Sequence, residues 1–240
     1  MKAYSEDLAF VHDAGFSNLA RRASSTVLQT LRQHALRQGL VIDLGCGSGI
    51  LARELTRSGY DVLGVDISSA MLRRARGRAP KARFIRGSLF RVKLPPCVAV
   101  TAIGECLNYQ FDPKSIGLAQ FFQRVYKALA PAGVFIFDVA GPSRAPAPAE
   151  RHFQGKHWAI LVRSEEDQRR RLLTRHMVVF RKMGRHWRRS LEEHKQKLFT
   201  PQSVRRELRK AGFKVRSSKG YGQGASYPGT EVFIASRDRH

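Results

Sequence analysis

The sequence predicts an α/β protein: a doubly wound, mostly parallel seven-stranded sheet with an antiparallel β insertion after the fifth strand. Three observations carry this prediction. Short apolar runs alternate with amphipathic helical patterns from Leu40 to Val139. A glycine-rich loop, Gly45–Gly49, follows the first apolar run and opens a helix. A low-complexity stretch, Gly141 to Pro148, then separates this part from a more basic one patterned as strands.

The elements follow in order. Ser24 or Ser25 is placed to cap a helix with Leu28, Leu31 and Ala35 inward, ended by Gly39. Leu40-Val41-Ile42 begins a buried strand, and Leu51 and Leu55 share a helix face that stops at Ser58-Gly59. A second strand runs from Val62 to Val65 and ends at Asp66, and Ser68 or Ser69 caps the next helix, with Met71, Leu72 and Ala75 inward. Strands are expected at Arg83–Arg86 and Val98–Ile103. A helix then carries Leu118, Phe122, Val125 and Leu129, and Pro131-Ala132-Gly133 turns it into strand Val134–Val139. Beyond the linker, Trp158–Arg163 and Leu172–Phe180 alternate as strands around a turn at Glu165-Glu166-Asp167, and His186–Phe199 is read as a strand. Thr200-Pro201 starts a helix in the favoured cap-then-proline order, and Phe213–Arg216 with Glu231–Ala235 form a closing antiparallel pair. The expected domains are a lid and helix (1–39), a core (40–140), a linker with the β insertion (141–199) and a closing helix and hairpin (200–240).

The 240 residues are 42% hydrophobic, enough for a buried core. Apolar runs are too short to cross a bilayer, and Met1–Asp7 lacks the layout of a secretory signal, so no membrane partner and a cytoplasmic location are expected. Three cysteines, Cys46, Cys97 and Cys106, without C-x-x-C spacing argue against a disulfide scaffold and against a metal site. The charge is the unusual number: 43 Lys and Arg against 19 Asp and Glu give +24. Clusters at Arg169-Arg170-Arg171, Arg188-Arg189 and Arg205-Arg206 suit a nucleic-acid partner or a solvated arginine-rich surface.

The chemistry concentrates at Asp43-Leu-Gly-Cys-Gly-Ser-Gly49. Glycines let the backbone approach a ligand closely, and the helix start offers free N–H groups. Asp66, at the tip of the next strand, can accept two hydrogen bonds from a ribose diol. Together these describe a nucleoside-bearing cofactor over the carboxyl ends of the strands. Gly47-Ser-Gly-Ile-Leu-Ala52 also fits a dinucleotide motif. Against it, Asp43 would face a pyrophosphate unfavourably yet suit an ammonium or sulfonium, and the glycines begin earlier, at Gly45.

Val41-Ile-Asp-Leu-Gly-Cys-Gly-Ser-Gly-Ile50 resembles the glycine motif of class I S-adenosylmethionine-dependent methyltransferases, and the likeness extends from about Leu40 to Val139. It implies a Rossmann-like fold, S-adenosylmethionine as cofactor and a small-molecule methyl acceptor. The cofactor residues it implies are Asp43, Gly45, Cys46, Gly47, Gly49, Asp66, Ile67, Met71, Ser88, Leu89 and Ile103, with Tyr4 closing from a lid segment. The family's Gly-Asp after the third strand is Gly87-Ser88 here, so the acid that meets the adenine amine is missing. Glu105, Asn108 and Tyr109, after the fourth strand, are the expected substrate residues, with Glu105 or His12 as base. His157, Trp158, Arg175 and His194 are candidates for a substrate cover, a layer that in this family also forms dimers, so a homodimer is an expected partner. No Asn/Asp-Pro-Pro-Tyr/Phe follows the fourth strand, and Cys97 precedes it, which argues against base methylases. An RNA methyltransferase and an NAD-binding protein stay open as alternatives.

Overall fold

The computed structural model describes residues 3–145, 149–222 and 227–239. Along the chain lie α1 (Glu6–Gly15), α2 (Asn18–Gln33), β1 (Leu40–Leu44), α3 (Ile50–Arg57), β2 (Asp61–Asp66), α4 (Ser69–Arg78), β3 (Arg83–Arg86) and β4 (Cys97–Ala102). A single 3₁₀ turn, Cys106–Asn108, precedes α5 (Leu118–Ala128) and β5 (Leu129–Ala140). Then come β6 (Ala149–Gly155), β7 (Trp158–Asp167), β8 (Leu172–Met183), β9 (His186–Lys197), α6 (Pro201–Lys210), β10 (Lys214–Ser218) and β11 (Thr230–Ser236).

The main sheet has the order β10-β11-β5-β4-β1-β2-β3, with seven strands, and only β10 and β11 run antiparallel to their neighbours. Strand order reverses between β1 and β4, which opens a crevice at their carboxyl ends. Val134–Phe137 is buried on both faces, as a central parallel strand requires. Phe121, Phe122 and Val125 of α5 pack with Val204 and Leu208 of α6 on one face, and Val27, Leu31, Leu51 and Leu55 cover the other. Burying each such side chain contributes about 1.5–3 kcal/mol.

A second, four-stranded antiparallel sheet follows the order β6-β7-β8-β9. Helix α1 bridges the two layers: Leu8 and Val11 pack on Ile160, Met177 and Val179 of the antiparallel sheet, and Ala9 packs on Ala70 and Met71 of α4. Among the described residues no helix is long and apolar enough to cross a membrane, and no group of metal-ligating side chains gathers.

Several local expectations need correction. The second helix starts at Asn18, and Ser24 is not its cap: Ser24 lies inside the helix and returns its hydroxyl to the Ala20 carbonyl, 2.7 Å away, satisfying itself locally. The helix ends at Gln33, leaving Ala35 outside it at φ 58°. Leu129 starts β5 instead of finishing α5. The turn placed at Glu165-Glu166-Asp167 falls later, because β7 runs on and pairs Glu166 with Leu173. Glu166 instead accepts the backbone N–H groups of Ser143 and Ala145, fastening the linker to the sheet. The linker residues Pro146, Ala147 and Pro148 lie outside the described residues. Strand β6 went unpredicted, since its residues are half-buried or exposed and carry no apolar alternation.

Candidate functional site

The cofactor cleft grows out of the β1–α3 loop. Gly45 and Gly49 adopt φ of 70° and 77°. A Cβ on Gly45 would stand 2.5 Å from Cys106 Sγ, and one on Gly49 would stand 2.9 Å from the Ala75 Cα. Gly45 therefore keeps the loop against the turn after β4, while Gly49 lets α3 pack closely on α4. Gly49, expected among the cofactor residues, does not line the cleft and lies against Ala75 of α4.

Asp66 closes β2 with its carboxylate fixed from below. Oδ2 accepts the Gly47 N–H at 2.9 Å and Oδ1 accepts the Ser68 N–H at 2.8 Å. Each oxygen retains acceptor capacity towards the cleft, which a ribose diol can use. Ile67, Met71, Ser88 and Leu89 line the same cleft further along. Asp112, which the sequence reading missed, lines it too, beside Ser88, with Arg91 Nε 2.7 Å from its Oδ2. A carboxylate is thus present on this wall although none follows Gly87.

At the other end stand Asp43, Cys46, Ile103, Gly104, Tyr109 and Tyr4. Asp43 is buried and accepts the Thr101 hydroxyl at 2.7 Å. Burial, with the nearby Asp66 charge adding to it, pushes its carboxyl up to about 7. The residues present fit S-adenosylmethionine: a glycine cradle, a diol-accepting carboxylate and a second buried carboxyl that a cation would ionise.

The lid is α1. Ser68 donates its hydroxyl to the Tyr4 carbonyl (2.7 Å), and Asp13 accepts Ser48 Oγ (2.6 Å) and Arg78 Nη2 (2.9 Å). Asp7 reaches the antiparallel sheet through Arg188 and Arg181.

Behind the cleft opens a second, wider cavity, about 580 Å³ against about 170 Å³, beneath the antiparallel sheet. The two share Tyr4, His12, Phe16, Leu19, Gly104 and Tyr109 as a common wall. Leu8, Phe153, Ile160, Val162 and Met177 supply apolar lining to the wider cavity, and Glu105, Arg144, Arg175 and His194 polar lining. His12 faces both cavities instead of bulk water, and burial pushes its imidazole down to about 4, leaving it neutral. Arg175 and His194 line this cavity as expected, whereas His157 and Trp158 do not.

Glu105 is held on all sides. Its Oε1 accepts Arg144 Nε (2.7 Å) and Thr230 Oγ1 (3.1 Å), and its Oε2 accepts Gln196 Nε2 (3.0 Å) and faces Arg175 at 3.5 Å. Burial alone would raise its pKa, but Arg144 and Arg175 outweigh it and hold the carboxyl below the usual range. A carboxylate so stabilised is a poor base. Asn108, expected to touch substrate, lines neither cavity. It is 1% exposed and spends its amide on the backbone of Ala140 and Lys197. Tyr109 does face both cavities and meets the Tyr4 hydroxyl at 3.1 Å.

A glycine cradle and a diol-accepting carboxylate at the switch point of a parallel sheet define a protein that binds a nucleoside-bearing cofactor. Residues 16–218 match the family model of the methyltransferase domain, and the chain belongs to that family, the class I S-adenosylmethionine-dependent methyltransferases. It is 33% identical over 123 residues to a methyltransferase of Geobacillus sp. (strain WCH70), covering 48% of each chain. It is 31% identical over 130 residues to a ubiquinone biosynthesis O-methyltransferase of Psychrobacter cryohalolentis, covering 50% of this chain and 48% of that one. These matches span about half the length of the relatives. Among solved structures, an S-adenosylmethionine-dependent methyltransferase of Clostridium acetobutylicum superposes with TM-score 0.82 at 17% identity, covering 96% of this chain and 97% of that one. An amino pentose methyltransferase of Micromonospora echinaspora, solved with S-adenosylmethionine bound, gives 0.74 at 19% identity and covers 99% and 98%. S-Adenosylmethionine is the cofactor of this family.

Asp43 yields a prediction. The buried environment disfavours its ionised form, and a bound sulfonium or ammonium favours it. Binding S-adenosylmethionine should therefore release up to one proton near pH 6.5, and affinity should rise as pH climbs through the Asp43 pKa of about 7. Calorimetry in two buffers of different ionisation enthalpy reads this directly. Zero proton release with a flat affinity profile would remove Asp43 from the cation's surroundings.

Proposed function

We propose that the protein transfers a methyl group from S-adenosylmethionine to a small-molecule acceptor held beneath the antiparallel sheet. The observation that carries this reading is the pair of adjoining cavities with a shared wall of Tyr4, His12, Phe16, Leu19, Gly104 and Tyr109. Asp66 and Asp43 would hold the cofactor in the narrower cavity, and the wider one beyond the shared wall would take the acceptor.

Bound S-adenosylmethionine supplies an activated methyl carbon. The protein's own part is alignment and exclusion of water. Asp66 and the glycine loop fix the cofactor, and the lid closes over it through Tyr4 and Asp13. Asp138 accepts the backbone N–H groups of Gly104 and Glu105, both at 2.8 Å, and the Tyr221 hydroxyl, and so holds the wall in place. Glu105 keeps Arg144 and Arg175 together at the acceptor side. The ubiquinone-pathway and amino pentose enzymes among the relatives and neighbours are named for small acceptors, which supports the same class here.

The test incubates the protein with methyl-labelled S-adenosylmethionine and, separately, small phenols, hydroxy acids, amino sugars and total RNA. Label in one of the small-molecule classes is the expected result. Label confined to RNA, with binding that weakens steeply with salt, would replace this reading by the one the +24 charge favours.

A further inference from the structure

Resting on the methyltransferase reading, we propose that His194, oriented by Glu192, is the catalytic residue that takes the acceptor's proton. The acceptor nucleophile is accordingly one that arrives protonated, a hydroxyl or an ammonium.

Strand β9 has an unusual inner face. Glu192, His194 and Gln196 are buried while Leu191, just before them on the opposite face, is 59% exposed, the reverse of ordinary alternation. Polar groups turned inward at that cost need a use or a partner. Gln196 has its partners in Arg175 and Glu105. Glu192 and His194 form a separate pair: Oε2 and Nε2 lie 2.9 Å apart, and His194 is 2% exposed yet lines the wider cavity. The other carboxylate oxygen of Glu192 accepts both the backbone N–H and the hydroxyl of Ser5, at the start of α1. With Ser5 donating to one oxygen of Glu192, the other accepts from His194, which places the N–H of the neutral ring on Nε2 and leaves Nδ1 with a lone pair.

The surroundings suit this role. Tyr4, Phe111 and Tyr109 pack around the ring at 4.9, 4.8 and 5.7 Å between centroids, and Tyr4 and Tyr109 belong to the wall shared with the cofactor cleft. The charged and titratable groups facing the ring are Glu192 on its own strand, His12 on α1, Tyr4 and Tyr109 at the shared wall, and Arg175, its register partner on β8, already engaged by Glu105. The competing candidates are placed less well for this role. Arg144 and Arg175 stabilise Glu105 as a carboxylate, and His12 has no carboxylate free to hold a positive charge, since Asp13 is taken by Arg78 and Ser48. In the step itself, the acceptor's O–H or N–H proton passes to Nδ1 while its lone pair bonds the methyl carbon. The C–S bond breaks with its electron pair going to sulfur, and the imidazolium, stabilised by Glu192, returns the proton to water. Because Ser5 follows Tyr4, the same lid closure that covers the cofactor also sets Glu192.

The experiment uses the full chain labelled with ¹⁵N-histidine and saturated with S-adenosylhomocysteine, with signals assigned by His194→Gln. In the neutral form of the ring, reached by raising pH until its ¹⁵N shifts stop changing, protonation only on Nε2 is expected, and Glu192→Gln should abolish that exclusive preference. A ring protonated on Nδ1, or a tautomer unchanged in Glu192→Gln, overturns the proposal. On any hydroxyl or amine acceptor turned over in the screen, His194→Gln should lower kcat about 100-fold or more, with KM and S-adenosylhomocysteine affinity within about threefold. An unchanged kcat overturns it as well. Failure of wild-type protein to bind S-adenosylhomocysteine would instead strike the underlying methyltransferase reading.

Discussion

Replacing Asp66 by alanine should weaken S-adenosylhomocysteine binding by about 100-fold or more. Two hydrogen bonds from a ribose diol to a carboxylate are lost, each contributing about 1.5–3 kcal/mol. Their sum, about 3–6 kcal/mol, corresponds to roughly two to four powers of ten. The substitution also frees the Gly47 and Ser68 N–H groups that shape the loop against β2, so the cradle loosens together with the contact. Asp66→Asn should fall between: its amide oxygen still accepts from one side, but its NH₂ opposes a donor on the other. Folding should be little affected, because burial already works against the ionised Asp66 and its removal relieves that cost. Isothermal titration with circular dichroism on the same samples separates binding from folding. An affinity within threefold of wild type would place the ribose elsewhere and remove the main support for the cofactor's orientation.

The parts of this molecule legible in the sequence are those whose physics is local. The glycine loop, Asp66 and the Ser68 cap lie within about one β-α-β unit, and each leaves a pattern that short-range sterics and capping explain. The Thr200-Pro201 helix start is equally local, and Thr200 Oγ1 does accept the Ser203 N–H. What failed was distant. Glu105 looked like an unpartnered acid because its partners Arg144, Arg175, Gln196 and Thr230 are 39, 70, 91 and 125 residues away in the chain. Glu192 is joined to Ser5 across 187 residues. A sequence pattern existed for this second group, the polar alternation Glu192, His194, Gln196, but it reads the same as a solvated strand face until the fold shows which side is covered. Strand β6 offered still less, since its place is set by pairing with β7 and not by its own side chains. Asn108 combines both lessons, standing in the expected loop yet turned away from the expected ligand.

That position makes the second large prediction. Asn108→Leu should destabilise the protein by about 2–6 kcal/mol, a large share of the roughly 5–15 kcal/mol typical of a folded domain. The side chain donates to the carbonyls of Ala140 (2.8 Å) and Lys197 (2.6 Å) and accepts the Ala140 N–H (2.9 Å). It therefore ties the end of β5, in the main sheet, to the end of β9, in the antiparallel sheet. Ala140 is fully buried, so leucine, with the same side-chain branching as asparagine, would leave its N–H without water to replace the lost partner, while its carbonyl keeps the Phe199 N–H at 3.0 Å. The orphaned N–H costs about 1–3 kcal/mol, and each of the two lost bonds to carbonyls about 0.5–1.5 kcal/mol. Aspartate should not rescue the fold, because it cannot donate to either carbonyl and brings a charge against them. Urea unfolding should show the transition midpoint falling with its slope unchanged, which marks a loss of stability without a change in the surface exposed. Had Asn108 been a substrate-binding residue, the same variant would fold with wild-type stability and fail only in turnover; a wild-type midpoint would return it to that role.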